Sequence, residues 1–190
     1  MLKTALFVVA AVTMAIPPRA DACMNEVERT VEDDARLVQR AEKLLEGGMY
    51  RKAGKVLKGW TFSNARLRER TADVRAVVAL RMKTSKDDVS WVVDHFKARS
   101  ESKAGAKDVR FRALLAEAYF AAGKLDEART ILTDLHKRDL MPDEFAVVTL
   151  AKLSTGAERY DLWKACRIKA KNKDVCELPA ETVGAKRTAS

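Results

Sequence analysis

Between Pro18 and Pro142 the chain holds no proline, and across that stretch apolar residues return every three or four positions rather than every second one. An uninterrupted supply of backbone donors with that period fits helices and argues against a sheet. The predicted helices run over 33–45, 50–60, 65–82, 87–97, 108–121, 125–135, 142–153 and 157–170. Their apolar faces carry, for example, Leu37, Ala41, Leu44 and Leu45 in the first and Ala53, Val56, Leu57 and Trp60 in the second. The last carries Tyr160, Trp163, Ala165, Cys166 and Ile168. Gly47-Gly48, Ser63-Asn64, Thr84-Ser85, Gly123 and Thr155-Gly156 supply the stops and caps between them, and residues 99–107 read as a polar loop.

Two of these turns share a pattern. Gly48-Met-Tyr50-Arg-Lys-Ala53 matches Gly123-Lys-Leu125-Asp-Glu-Ala128 as Gly-x-large-x-x-Ala. The glycine permits a tight reversal, the alanine lets two antiparallel helices approach, and the large residue is expected to fill the space between them. The breaks at Gly48, Ser85, Gly123 and Gly156 are spaced by 37, 38 and 33 residues. Spacing and turn chemistry together resemble the tetratricopeptide repeat, a helix-turn-helix unit of about 34 residues. The stretch Ala118–Ala128 with Pro142 at its unit end carries the resemblance most fully. The second unit has Ser85 for the glycine, and the fourth has Asp161 where the alanine belongs.

The resemblance implies an all-α chain of about four helix pairs over 33–170, stacked as a short right-handed solenoid. It implies that the first helix of each pair lines a concave face on which similar proteins hold a peptide or partner. Projected onto this chain, that face takes Val38, Glu42 and Leu45, then Arg75, Ala79, Met82 and Lys83, then Arg110, Ala113, Glu117 and Phe120, and finally Ala146 and Leu150. The same positions also suit simple helix packing, and Tyr119 competes with Phe120 for the inward place. Several relatives clamp a peptide carboxylate with an amide; Ala79 stands where the asparagine would be, so that clamp is not expected.

The N-terminus reads as an export signal. Lys3 precedes the uncharged run 5–16, Pro17-Pro18 break it, and Ala20-Asp21-Ala22 forms a small-x-small cleavage site. Twelve apolar residues span roughly 18 Å as a helix, short of a bilayer core of about 30 Å. No other segment is apolar enough to cross a membrane. The expected organisation is a signal over 1–22, a lead-in over 23–32, the repeat domain, and a loop and tail over 171–190. Cys23 follows the cleavage site directly, which opens a second reading with a lipid anchor there. The location is therefore periplasmic or secreted, with a membrane-anchored lipoprotein as the alternative. An oxidising compartment permits disulfides. The ten-residue spacing favours Cys166–Cys176, with Cys23 to either of them as the competing pairings.

The full chain carries 36 Lys+Arg against 27 Asp+Glu; without residues 1–22 it carries 34 against 26, a net charge of +8. This balance serves solubility and suits acidic partners. Arg66, Arg68 and Arg70 are its densest cluster, and Trp60, Trp91 and Trp163 fall in second helices, where they are expected to fill gaps between units. His95 and His136 lack ligand-spaced companions, and no phosphate-binding glycine loop or Gly-x-Ser-x-Gly elbow occurs. No cofactor or metal is expected. The leading reading is a non-catalytic docking module for a protein partner of the cell envelope. A basic binder of anionic envelope polymer or lipid is the alternative, and export argues against nucleic acid. An enzyme would require a site assembled only in three dimensions, for instance around His95 or His136 with a carboxylate.

Overall fold

A computed structural model describes residues 21–82, 86–103, 105–170 and 173–176; side chains are described from residue 31, except 86–88. The described residues form eight α-helices and no strand. In chain order they are α1 (Asp21–Glu46), α2 (Tyr50–Val56), α3 (Ala65–Met82), α4 (Lys86–Glu101), α5 (Val109–Ala121), α6 (Leu125–Lys137), α7 (Glu144–Leu153) and α8 (Gly156–Lys169). Short 3₁₀ turns span Gly105–Lys107 and Lys173–Cys176. Each helix packs on the next, and α1 also touches α3, α3 touches α5, and α5 touches α7.

The helix ends follow local chemistry. Asn64 accepts from the backbone N–H of Arg66 and Leu67 at the start of α3, Asp108 accepts from Arg110 before α5, and Asp143 accepts from Ala146 before α7. At the C-termini of α1 and α5 the same closure appears twice. The N–H of Gly48 and of Met49 donate to Leu45 and Leu44, as those of Gly123 and Lys124 donate to Phe120 and Tyr119. Gly48 and Gly123 stand at φ +70° and +79°, the left-handed conformation that this paired closure demands. A third copy ends α6 with Asp139 at φ +52°, where Asp139 and Leu140 donate to His136 and Leu135. Ala53 and Ala128, each five residues past its glycine, are fully buried.

The core is distributed along the chain. Val38, Ala41, Ala53, Leu57, Phe62, Leu67 and Val74 cluster between α1, α2 and α3. Ala76, Val92, Val93, Phe96, Leu115 and Ala118 form the next cluster, and residues from Ala113 to Leu162 form a third across α5 to α8. Helix α5 is buried on several sides, with Ala113, Leu115, Ala116, Glu117 and Ala118 all covered. Its alanines let α3, α4, α6 and α7 approach together. Cys166 and Cys176 are bonded, with Cα atoms 5.8 Å apart; Trp163 donates its indole N–H to the Cys176 carbonyl, so the 173–176 turn is folded back over α8.

Several boundaries and faces differ from expectation. Helix α1 begins at Asp21 rather than near residue 33, so Asp33-Asp34 sit inside it, between the members of an exposed Glu32–Arg36 pair one turn apart. The lead-in segment 23–32 is part of this helix. Helix α2 stops at Val56 instead of running to Trp60, because the chain turns through Gly59 at φ +78°. Helix α4 continues to Glu101 into the expected loop. Tyr160 and Ile168 are 58% and 73% exposed, whereas Leu162 and Cys166 are buried. A terminal helix packed mainly on α7 buries a narrower stripe than a central one. Residues 1–20, which hold most of the expected export signal, and the tail beyond Cys176 lie outside the described residues.

Candidate functional site

The residues proposed for a concave face fall into three groups. Val38, Ala113, Ala146 and Leu150 are at most 1% exposed and belong to the core. Leu45, Ala79 and Phe120 are half-buried against that core. The four buried residues serve helix packing rather than an open docking face. All seven pack within or against clusters built jointly with the neighbouring helices. Lys83 lies outside the described residues.

The charged candidates are engaged as well. Glu42 of α1 holds Arg70 of α3, with the Arg70 Nε at 2.8 Å from one carboxylate oxygen and the other oxygen also bound; this bond raises the Arg70 pKa above its ordinary value. Glu117 of α5 holds Arg81 at the end of α3 through both carboxylate oxygens. The Arg81 and Glu117 side chains are 6% and 5% exposed. Arg81 also lies 3.6 Å from the Asp143 carboxylate and 3.7 Å from the centre of the Phe145 ring. Tyr50, at the start of α2, completes the cluster by an edge contact with Phe145 at 6.0 Å and by its hydroxyl beside Arg81. Burial pushes the Arg81 guanidinium below its ordinary pKa while Asp143 and Tyr50 pull it back; burial raises the Tyr50 phenol. Side chains from α2, α3, α5 and α7 thus meet at one buried ion node. Of the two residues expected to fill hairpins, Tyr50 is half-buried in this node, whereas Leu125 is 45% exposed.

Arg110 stands apart, exposed and paired with its neighbour Asp108 at 2.8 Å. Arg68 is spent on the loop before its own helix, where it donates to the Phe62 and Ser63 carbonyls. With Arg70 bound to Glu42, the expected Arg66–Arg70 cluster leaves Arg66 alone directed at solvent. His95 does gain a carboxylate: its Nε2 is 2.8 Å from Asp73. The same Asp73 is bound by Arg99 at 3.0 Å, and Arg99 also reaches Glu69 and covers the Phe111 ring at 4.4 Å. This group ties α4 to α3 and α5.

Two of the proposed residues, Arg75 and Met82, do line a common surface. They border a depression of about 850 Å³ between α2, the 57–61 turn and α3, with Arg51, Gly54, Lys55, Leu57, Lys58, Gly59, Trp60 and Thr61. Four of its ten lining residues are cations and none is acidic. Arg51 and Lys55 stand one turn apart on α2 and Lys58 follows in the 57–61 turn, all three exposed, whereas Ala53 and Leu57 are buried. Among the described residues none of these four cations joins an ion pair. Arg75 instead donates to the carbonyls of Leu57 at 2.9 Å and Trp60 at 2.7 Å, which fixes the turn. Trp60 is 49% exposed at its edge. Gly54 forms part of the floor, where an added Cβ would sit 3.1 Å from Val78; the glycine lets α2 lie low on α3. The Arg-x₃-Lys-x₂-Lys-x-Trp spacing was the available sequence signal for this surface. The denser arginine run that follows at 66–70 masks it.

Among the described residues no group of three or more His, Cys, Asp or Glu side chains is placed to hold a metal, and no helix is long and apolar enough to cross a membrane. Comparison with protein-family models, with curated proteins and with solved structures found no match.

Proposed function

We propose that the chain is an exported array of four tetratricopeptide-like helical hairpins that docks a protein partner and performs no chemistry itself. The observation that carries this reading is the repeated hairpin closure. Gly48 and Gly123 adopt the same left-handed conformation with the same pair of closing hydrogen bonds, and the alanines after them are both sealed. The serial contacts α1–α3–α5–α7 and a core divided into successive clusters support stacking of hairpin on hairpin. The signal-like sequence of 1–22 supports export to the periplasm or beyond, and Cys23 would carry a lipid if the anchored form applies.

The test is capture from an envelope extract by the protein beginning at Cys23, followed by crosslinking and a concentration series. A partner that saturates at one-to-one stoichiometry is the expected result. Failure to recover any saturable partner, alongside tight retention on anionic polymer, would overturn the reading. Mass spectrometry of the exported form reads the cleavage site and the state of Cys23 in the same preparation. A second reading, a basic binder of anionic envelope polymer or lipid, is favoured by the four cations of the α2 depression, none of which joins an ion pair among the described residues, and demands binding that weakens steeply with salt.

A further inference from the structure

We propose that the depression between α2, the 57–61 turn and α3 is the docking site for an acidic peptide segment of the partner, anchored by one aromatic or large aliphatic side chain. This deepens the docking-module reading and rests on it. Two independent features of the surface select that ligand. The first is charge: Arg51, Lys55, Lys58 and Arg75 surround the depression with no carboxylate among the lining residues. Between the helices, several arginines among the described residues are matched by acids, as in Arg70–Glu42, Arg81–Glu117 and Arg112–Asp134. Here the matching acids are to be supplied from outside. The second is an apolar interior. Gly54 leaves a low floor over α3, Met82 borders one side at 36% exposure, and Trp60 borders another at 49%.

A polymer of phosphates needs the cations and gains nothing from the tryptophan, the methionine or the glycine floor. An acidic peptide with an anchoring side chain uses both. Tryptophan and arginine side by side are also the residue types that concentrate binding energy at protein interfaces. The surface is preorganised: the Arg75 bonds to the Leu57 and Trp60 carbonyls hold the turn, so little ordering opposes docking. Arg75 is therefore a positioning residue as well as a cation. The remaining three cations stand on exposed long side chains that adjust to carboxylates of varied spacing.

The experiment titrates three probes into the purified protein by calorimetry: a Glu/Asp-rich peptide with one central Phe, the same peptide with Ala for Phe, and polyphosphate. Phosphatidylglycerol vesicles serve as a fourth arm by co-sedimentation. The expected result is saturable one-to-one binding of the Phe peptide, weakened about tenfold by Arg51→Glu with Lys55→Glu and about fivefold by Trp60→Ala. Both variants alter exposed side chains, and unchanged helical circular dichroism and melting verify their fold. Arg75→Lys, which cannot hold two carbonyls in the same way, is expected to weaken the Phe peptide more than the Ala peptide. Equal binding of the Phe and Ala peptides, polyphosphate or vesicles preferred over either peptide, or indifference to the charge reversal would each overturn the proposal. Partner capture separates the two levels: a saturable partner retained by the charge-reversed protein would sink this site and leave the docking module standing. Absence of any saturable partner would sink the module itself.

Discussion

Replacing Glu117 by Gln keeps the shape of the buried side chain and deletes the charge that holds Arg81. Breaking a buried ion pair from one side costs about 3–5 kcal/mol, because the surviving charge stays desolvated. Here the loss falls at the lower end. Asp143 still lies 3.6 Å from the guanidinium, the Phe145 ring still covers it, and the glutamine carbonyl still accepts one bond. A loss of about 3 kcal/mol is expected, which lowers the melting temperature by roughly 6–12 °C for a domain of this size. Urea unfolding followed by circular dichroism reads it as a lower midpoint with an unchanged slope. The double variant Arg81→Met/Glu117→Leu removes both charges and fills the space with apolar atoms, and it should return to within about 1 kcal/mol of the parent. A Glu117→Gln protein within about 0.5 kcal/mol of the parent, as for an ordinary surface change, would refute the claim that this node is a dry, mutually dependent pair.

Other expectations follow from single features. Gly123→Ala meets no atom within 4 Å but must hold φ +79°, so it should cost about 1–2 kcal/mol by thermal melting, and Gly123→Asn less. The Arg110 side-chain bond holds the Asp108 carboxyl below its ordinary pKa. A depressed carboxyl contributes stability above the unfolded aspartate value and loses it as pH falls through the folded value. Arg110→Ala should therefore raise the Asp108 pKa seen by NMR and flatten the acid-side loss, with at most about 1 kcal/mol at neutral pH for so exposed a pair. Cys166→Ser with Cys176→Ser opens a ten-residue loop that the chain-entropy model values at about 2.7 kcal/mol. Faster proteolysis after α8, with cleavage of α3–α5 unchanged, is the expected pattern.

The helical content was legible because its signals are local. Helix α3 occupies its expected span, 65–82, since Asn64 caps it directly and its apolar residues keep one period. The Gly-x-large-x-x-Ala pattern located two turns whose backbone closure is the same. The third closure was hidden because aspartate rather than glycine fills the left-handed position at Asp139. The start of α1 was misplaced because Asp33-Asp34 are favourable at a helix N-terminus yet equally tolerated on an exposed mid-helix face. Trp60 reads as core by periodicity only if α2 continues; Gly59 ends that continuation and turns the indole outward. The Cys166–Cys176 pairing was favoured by spacing, and the structure makes it.

The partner surface was the least legible part, for a reason that lies in side-chain length. A projection by helix position marks which backbone faces inward and says nothing of what fills the space there. Arg81 is long enough to reach both Glu117 and Phe145, and Tyr50 meets Phe145 from α2. At this node the chain fills with its own side chains the ground between α3, α5 and α7, and four further candidates are at most 1% exposed. A partner that entered there would have to separate a buried ion pair, and leaving either charge desolvated without its mate costs about 3–5 kcal/mol. Docking on the outer side of α2 breaks none: its cations are unmatched, its tryptophan is already half exposed, and its turn is already fixed by Arg75. For the docking module we propose, the energetic difference between the two surfaces favours the second.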